Sequence, residues 1–192
     1  MVDGALRWFS ICCVLGLAGL YWFSRSGHAS VNYSRSTDVG LYFIRDFKVH
    51  DFSKLKRGSY ISFCPDESQY VDEVLRRKYL PKGRCKMGSA MMLKRIAGLP
   101  GDRYSITDDG VYVNGIKQPM SRPMVRDIKG RAMPHLRVMN KSIKTGELLV
   151  MTDGSSKLSY DSRYYGPIKA SQIVYRSWPA IVWPTSISAG DH

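Results

Sequence analysis

Uncharged positions dominate the start of the chain. From Trp8 to Ser24 the run WFSICCVLGLAGLYWFS holds 17 residues without a charge, bracketed by Arg7 and Arg25. As a helix it covers about 25 Å, slightly short of a hydrocarbon core of roughly 30 Å. Ala5 and Leu6 extend it if Arg7 snorkels to the headgroups. Trp8, Tyr21 and Trp22 lie near its ends, where amphipathic rings favour the interface. The alternatives are a buried core helix and a cleaved signal peptide. A cleavage site wants small residues before the cut, yet Ala18 is followed by bulky Tyr21, Trp22 and Phe23. The pattern therefore predicts a membrane anchor over residues 1–24 and a separate domain over 25–192. Cys12 and Cys13 read as membrane-buried thiols.

Beyond the anchor the period changes to that of short strands with turn punctuation. Leu41 to Ile44, Tyr60 to Phe63, Met91 to Ile96, Leu148 to Met151 and Ile173 to Tyr175 are apolar or aromatic runs of strand type. Gly98 to Asp102 reads as a turn, and Val111 to Ile116 as a hairpin around Asn114–Gly115. One helix stands out, Asp66 to Leu80. Asp66 is its candidate N-cap with Gln69 three residues on, Val71, Val74, Leu75 and Tyr79 share a face, and Pro81 with Gly83 ends it. The expected fold is mainly β, with an N-terminal transmembrane helix and one short helix in the domain.

Composition narrows the partners. The chain has 192 residues, 29 Lys plus Arg against 16 Asp plus Glu, and a formal net charge of +13. Hydrophobic residues at 44% and charged residues at 23% exclude wholesale disorder, and 4 Cys exclude a disulfide-dense miniprotein. The basic balance suits an anionic membrane surface or nucleic acid. Its cations are spread through Arg76 to Arg84, Arg122 to Arg137 and Lys141 to Lys144, with no DNA-binding motif, so no nucleic acid partner is expected. Arg7 and Asp3 before the run, against Arg25, His28 and Arg35 after it, leave the orientation undecided.

The reactive inventory is short. The four His are scattered, no G-x-S-x-G elbow or phosphate loop occurs, and no Cys and His set has zinc-ligand spacing, so no metal or cofactor is implied. Ser, Lys and Asp remain. A serine hydroxyl needs an adjacent base. A lysine of ordinary pKa is neutral in only about one molecule in 2,500 at pH 7, but burial can lower that pKa by roughly 3–5 units. Met91, Met92, Leu93, Ile96 and Ala97 around Lys94 can supply that desolvation. The competing reading of Lys94–Arg95 is an exposed basic pair closing a strand.

Three segments occur in order behind the anchor: NYSRSTDVGLY (Asn32 to Tyr42), LKRIAGLPGD (Leu93 to Asp102) and SYDSRYYG (Ser159 to Gly166). This set resembles the signal peptidase I family, the S26 serine peptidases, with their K-R-x-x-G-x-P-G-D and S-x-D-S-R-x-x-G boxes. The first segment is more similar to the conjugative-transfer, TraF-type branch, whose serine lies in N-x-S/T-x-S-x-P-x-G-L-Y. The resemblance implies Ser36 as nucleophile and Lys94 as general base. It places Ser34 beside the Ser36 amide in an oxyanion hole, and Ser159 and Asp161 as positioning groups with Arg163 paired to Asp161. Thr37 stands where Met is usual and Asp38 where Pro is expected, positions that line substrate pockets in the family.

The resemblance further implies a membrane-bound serine endopeptidase of the bacterial inner membrane, single-pass, with its catalytic domain in the periplasm. Its expected partners are inner-membrane lipid and a protein substrate, a pre-pilin or other exported precursor cut at a leader or tail, with cyclisation as a further outcome. A general signal peptidase I and a non-catalytic basic component of a conjugation or secretion assembly are the alternatives. In a periplasmic domain Cys64 and Cys85, 21 positions apart, can form a disulfide, the alternative being two free thiols.

Overall fold

The computed structural model describes residues 2–25, 28–67, 71–154 and 156–185. The apolar run is helical, α1 (Val2–Arg25). Among the described residues no helix is long and apolar enough to cross a membrane. The finding is thus a helix where a transmembrane span was expected.

Among the described residues the domain is mainly β, in two sheets. The larger has seven strands in the order β1 (Ala29–Asn32), β2 (Val39–Asp46), β11 (Ile173–Trp183), β3 (Tyr60–Phe63), β4 (Met92–Gly98), β9 (Glu147–Met151) and β10 (Ile168–Lys169). The smaller orders β7 (Ile116–Lys117), β6 (Val111–Val113), β5 (Arg103–Ile106) and β8 (Val138–Ser142). Their pairings are antiparallel. The β6–β7 hairpin turns at Asn114 (φ 51°) and Gly115 (φ 79°), the two positive angles that the expected Asn-Gly turn needs.

β9 joins the two cores. Its side chains alternate between faces. Leu148 and Val150 enter one cluster with Ile61, Phe63, Met92, Ile96, Tyr160 and Tyr164. Leu149 and Met151 enter the other with Tyr104, Ile106, Val111 and Val113 of the small sheet. A strand buried on both faces needs a continuous apolar run, which is what ELLVM supplies.

The helix expected over Asp66 to Leu80 is shorter. Among the described residues it is α2 (Val71–Arg76), and the proposed Gln69 capping partner lies outside them. Lys78 at φ 58° ends it. Lys78 N–H donates to the Leu75 carbonyl at 3.0 Å and Tyr79 N–H to the Val74 carbonyl at 2.9 Å, which closes the last turn before Pro81 is reached. Cys64 and Cys85 are bonded to each other, closing the loop that carries α2.

Candidate active site

Lys94 owes its position to the two-residue period of β4. Met92, Lys94 and Ile96 share one face of that strand, and Lys94 faces Ile61 across the β3 pairing. Met92, Ile61 and Ile96 all belong to the main core, so the ammonium stem is built into an apolar row. Lys94 is 2% exposed, whereas neighbouring Arg95 is half-buried on the other face. Burial lowers its pKa to about 8; Asp161 and Asp153 raise it and Arg163 lowers it, but desolvation is the largest effect.

Behind the lysine stands a row of donors. Lys94 Nζ donates to Ser159 Oγ at 2.9 Å, and Ser159 Oγ donates to Asp161 Oδ2 at 3.1 Å. That direction is forced, because a carboxylate only accepts. Arg163 grips Asp161 with two bonds, Nε to Oδ1 at 2.7 Å and Nη2 to Oδ2 at 2.9 Å. Both residues are fully buried. Burial pushes the Asp161 carboxyl up, but the Arg163 guanidinium outweighs it and holds the group below the usual carboxylate range. Asp161 also caps α3 (Ser162–Tyr165) by accepting from the Arg163 N–H. The third sequence box is therefore one compact turn that presents a carboxylate to the lysine's hydroxyl partner.

Ser36 lies in the turn between β1 and β2. Asn32 organises that turn: its Oδ1 accepts the Ser34 N–H at 3.1 Å, and its amide donates to the Ser34, Thr37 and Asp38 carbonyls at 3.1, 3.2 and 2.9 Å. Ser34 Oγ sits 2.8 Å from Ser36 Oγ and accepts the Ser36 N–H at 3.3 Å. The Ser36 carbonyl accepts from Thr152 Oγ1 and, at 3.4 Å, from the Gly154 N–H. A Cβ on Gly154 would come within 2.4 Å of the Arg35 carbonyl oxygen, so only glycine lets the two segments meet this closely.

Ser34, Ser36, Lys94 and Ser159 all line one cavity of about 510 Å³. Its walls include Met91, Met124, Met133, Tyr79 and Tyr160, and Arg77, Lys78, Lys129 and Lys157 also line it. Asp161 and Arg163 stand behind the wall. Thr37 and Asp38 are absent from that lining. Thr37 is fully buried and donates to the Leu93 carbonyl at 3.2 Å; Asp38 Oδ1 accepts the Thr185 N–H at 2.9 Å. Both side chains turn into the fold because each finds a backbone partner there. Sequence reasoning also missed Asn32, Thr152 and Gly154. Asn32 lies inside the first box, but Thr152 and Gly154 sit in a loop without a pattern to mark them.

The chain matches the family described as signal peptidase, peptidase S26, over residues 1–181, and it belongs to that family. It is similar to the plasmid transfer protein TraF of Escherichia coli, 35% identical over 173 residues that cover 88% of this chain and 93% of that protein. It is also similar to the signal peptidase I of Bacillus caldolyticus, 28% identical over 90% of this chain and 88% of that one. Among solved structures, a signal peptidase I from Enterococcus faecalis V583 aligns at 21% identity with a TM-score of 0.34, covering 62% of this chain and 92% of that one. Membership of a peptidase family implies a protein substrate.

Proposed function

We propose that this chain is a membrane-bound Ser–Lys endopeptidase that cuts a leader or tail from an exported precursor, a pilin-type protein of a conjugative element. The observation that carries the reading is the placement of Ser36 and a buried Lys94 of lowered pKa on the wall of one cavity. The similarity to a plasmid transfer protein supports the conjugative setting. In this reading neutral Lys94 takes the proton from Ser36 Oγ as that oxygen attacks the scissile carbonyl. The Ser36 N–H and Ser34 hydroxyl, released from each other, stabilise the oxyanion. Protonated Lys94 then passes its proton to the leaving amine. The acyl-enzyme is resolved by water, giving hydrolysis, or by a substrate amine, giving a cyclic product. Ser159, held by Asp161, keeps the lysine aimed throughout.

Membrane attachment rests on two apolar surfaces. On α1, Trp8, Ile11, Val14, Leu15 and Tyr21 are exposed. On the domain, Leu41 of β2 pairs with Val31 on one side and Ile181 on the other, and Phe43 pairs with Trp178, so these residues share one face of β1, β2 and β11. Val31, Phe43, Trp178 and Ile181 are exposed there. An apolar helix followed by an apolar sheet face on a chain of charge +13 suits the surface of an anionic bilayer, with the domain on the periplasmic side. The test is mass spectrometry of the exported precursor from cells carrying wild type, Ser36→Ala or Lys94→Ala. Either variant should leave the precursor uncut while remaining folded and membrane-bound. Normal processing in Lys94→Ala would overturn the assignment.

A further inference from the structure

We infer that Thr152 is a positioning residue, which sets the nucleophilic serine in register with the carboxylate that holds the base; the inference rests on the Ser36–Lys94 reading above. Thr152 follows the last residue of β9 and is fully buried. Its two donors face the two halves of the site. The backbone N–H donates to Asp161 Oδ2 at 3.2 Å, the oxygen that also accepts from Ser159, the partner of Lys94. The side-chain Oγ1 donates to the Ser36 carbonyl. That direction is fixed, because a carbonyl cannot donate, and the Gly154 N–H fills the acceptor side of the hydroxyl at 3.2 Å.

The consequence is geometric. Ser36 sits in a turn outside the strand ladder, so no β pairing locates it. Ser34 Oγ holds its N–H at 3.3 Å and Thr152 holds its carbonyl, which fixes the residue from both sides. One residue therefore links the backbone of the nucleophile to the group that aims the base. Small misplacements of reacting atoms are costly in rate, so the link bears on turnover more than on binding.

The isosteric change Thr152→Val isolates the hydroxyl. The Ser36 carbonyl and the Gly154 N–H already lie 3.4 Å apart and remain partners, so neither is orphaned by the change. Thr152→Ser keeps the hydroxyl and loses the methyl. The experiment uses the full chain in detergent micelles and an internally quenched peptide with Ala at the first and third positions before the cut. It compares kcat, KM, the pH profile and the unfolding temperature of wild type, both Thr152 variants and Ser36→Ala. Thr152→Val should lose about tenfold in kcat, the scale of one well-placed hydrogen bond, with KM and the pH midpoint unchanged, and with an unfolding temperature lowered by no more than the loss of about one hydrogen bond, so that the protein stays folded at the assay temperature. Thr152→Ser should recover to within about twofold of wild type. Wild-type kcat in Thr152→Val, a loss confined to KM, equal losses in both variants, or a loss matched by unfolding would each overturn the inference. Turnover surviving in Ser36→Ala, or wild type leaving the peptide intact, would instead overturn the peptidase reading.

Discussion

Lys94 Nζ donates to Ser159 Oγ at 2.9 Å from a strand row that Met92 and Ile96 otherwise fill with apolar side chains. A cation in such a row is costly while it stays charged. The same burial that costs stability brings its pKa to about 8, within reach of general-base chemistry.

That cost is measurable. The folded pKa lies below the usual lysine value, so the unfolded chain binds the proton more strongly. The penalty is fully present below about pH 8 and is relieved as pH rises toward the unfolded value of 10.5. Lys94→Met should therefore stabilise the fold by about 3 kcal/mol at pH 7, with the gain fading above pH 8. Urea unfolding of both proteins at pH 7 and pH 10 checks it, and equal stability at pH 7 would contradict it.

Ser34 Oγ meets Ser36, the proposed nucleophile, at both its hydroxyl and its N–H. In Ser34→Ala the backbone donor remains and one oxyanion donor is lost. Peptide turnover should fall by about 10²–10³ with little change in KM. Unchanged kcat would remove Ser34 from the oxyanion hole.

Asp38 ties the serine turn to the end of β11 through the Thr185 N–H. Asp38→Ala should cost about 1–2 kcal/mol in unfolding free energy and leave peptide preference unaltered. A peptide library cleaved by both forms, with unfolding curves alongside, separates this from a pocket role.

The Cys64–Cys85 bond closes a loop with a sequence separation of 21 that carries α2 and the cavity residues Arg77 to Pro81. The double change Cys64→Ser and Cys85→Ser should lower stability by about 3 kcal/mol in the loop-entropy model. Calorimetry of both forms under non-reducing conditions checks the figure.

The strands whose apolar runs stand alone, β2, β3, β4 and β9, were legible in the sequence because burial writes itself into consecutive or alternating residues. β11 was seen only at its start. Arg176, Ser177 and Pro179 interrupt the rest, and the structure accommodates that proline at a register shift beside Ile181. The helix stops short of its apolar pattern because Tyr79 keeps the apolar period while Lys78 leaves the helical region, a step a lysine does not announce. In the site, Lys94 was marked by its motif and its apolar neighbours. The inward turn of the Thr37 and Asp38 side chains was not legible, because sequence gives positions in a motif but not the direction of a side chain. Thr152 left no trace, since its part depends on one hydroxyl meeting a carbonyl 116 residues away.

The most direct test of the Ser–Lys account is the pH dependence of kcat for peptide cleavage by the full chain. A lysine base acts only when neutral, so kcat should rise with pH through a single ionisation near 8 and level off above it. A rate that is flat from pH 6 to pH 10, or that falls across that range, would contradict Lys94 as the base.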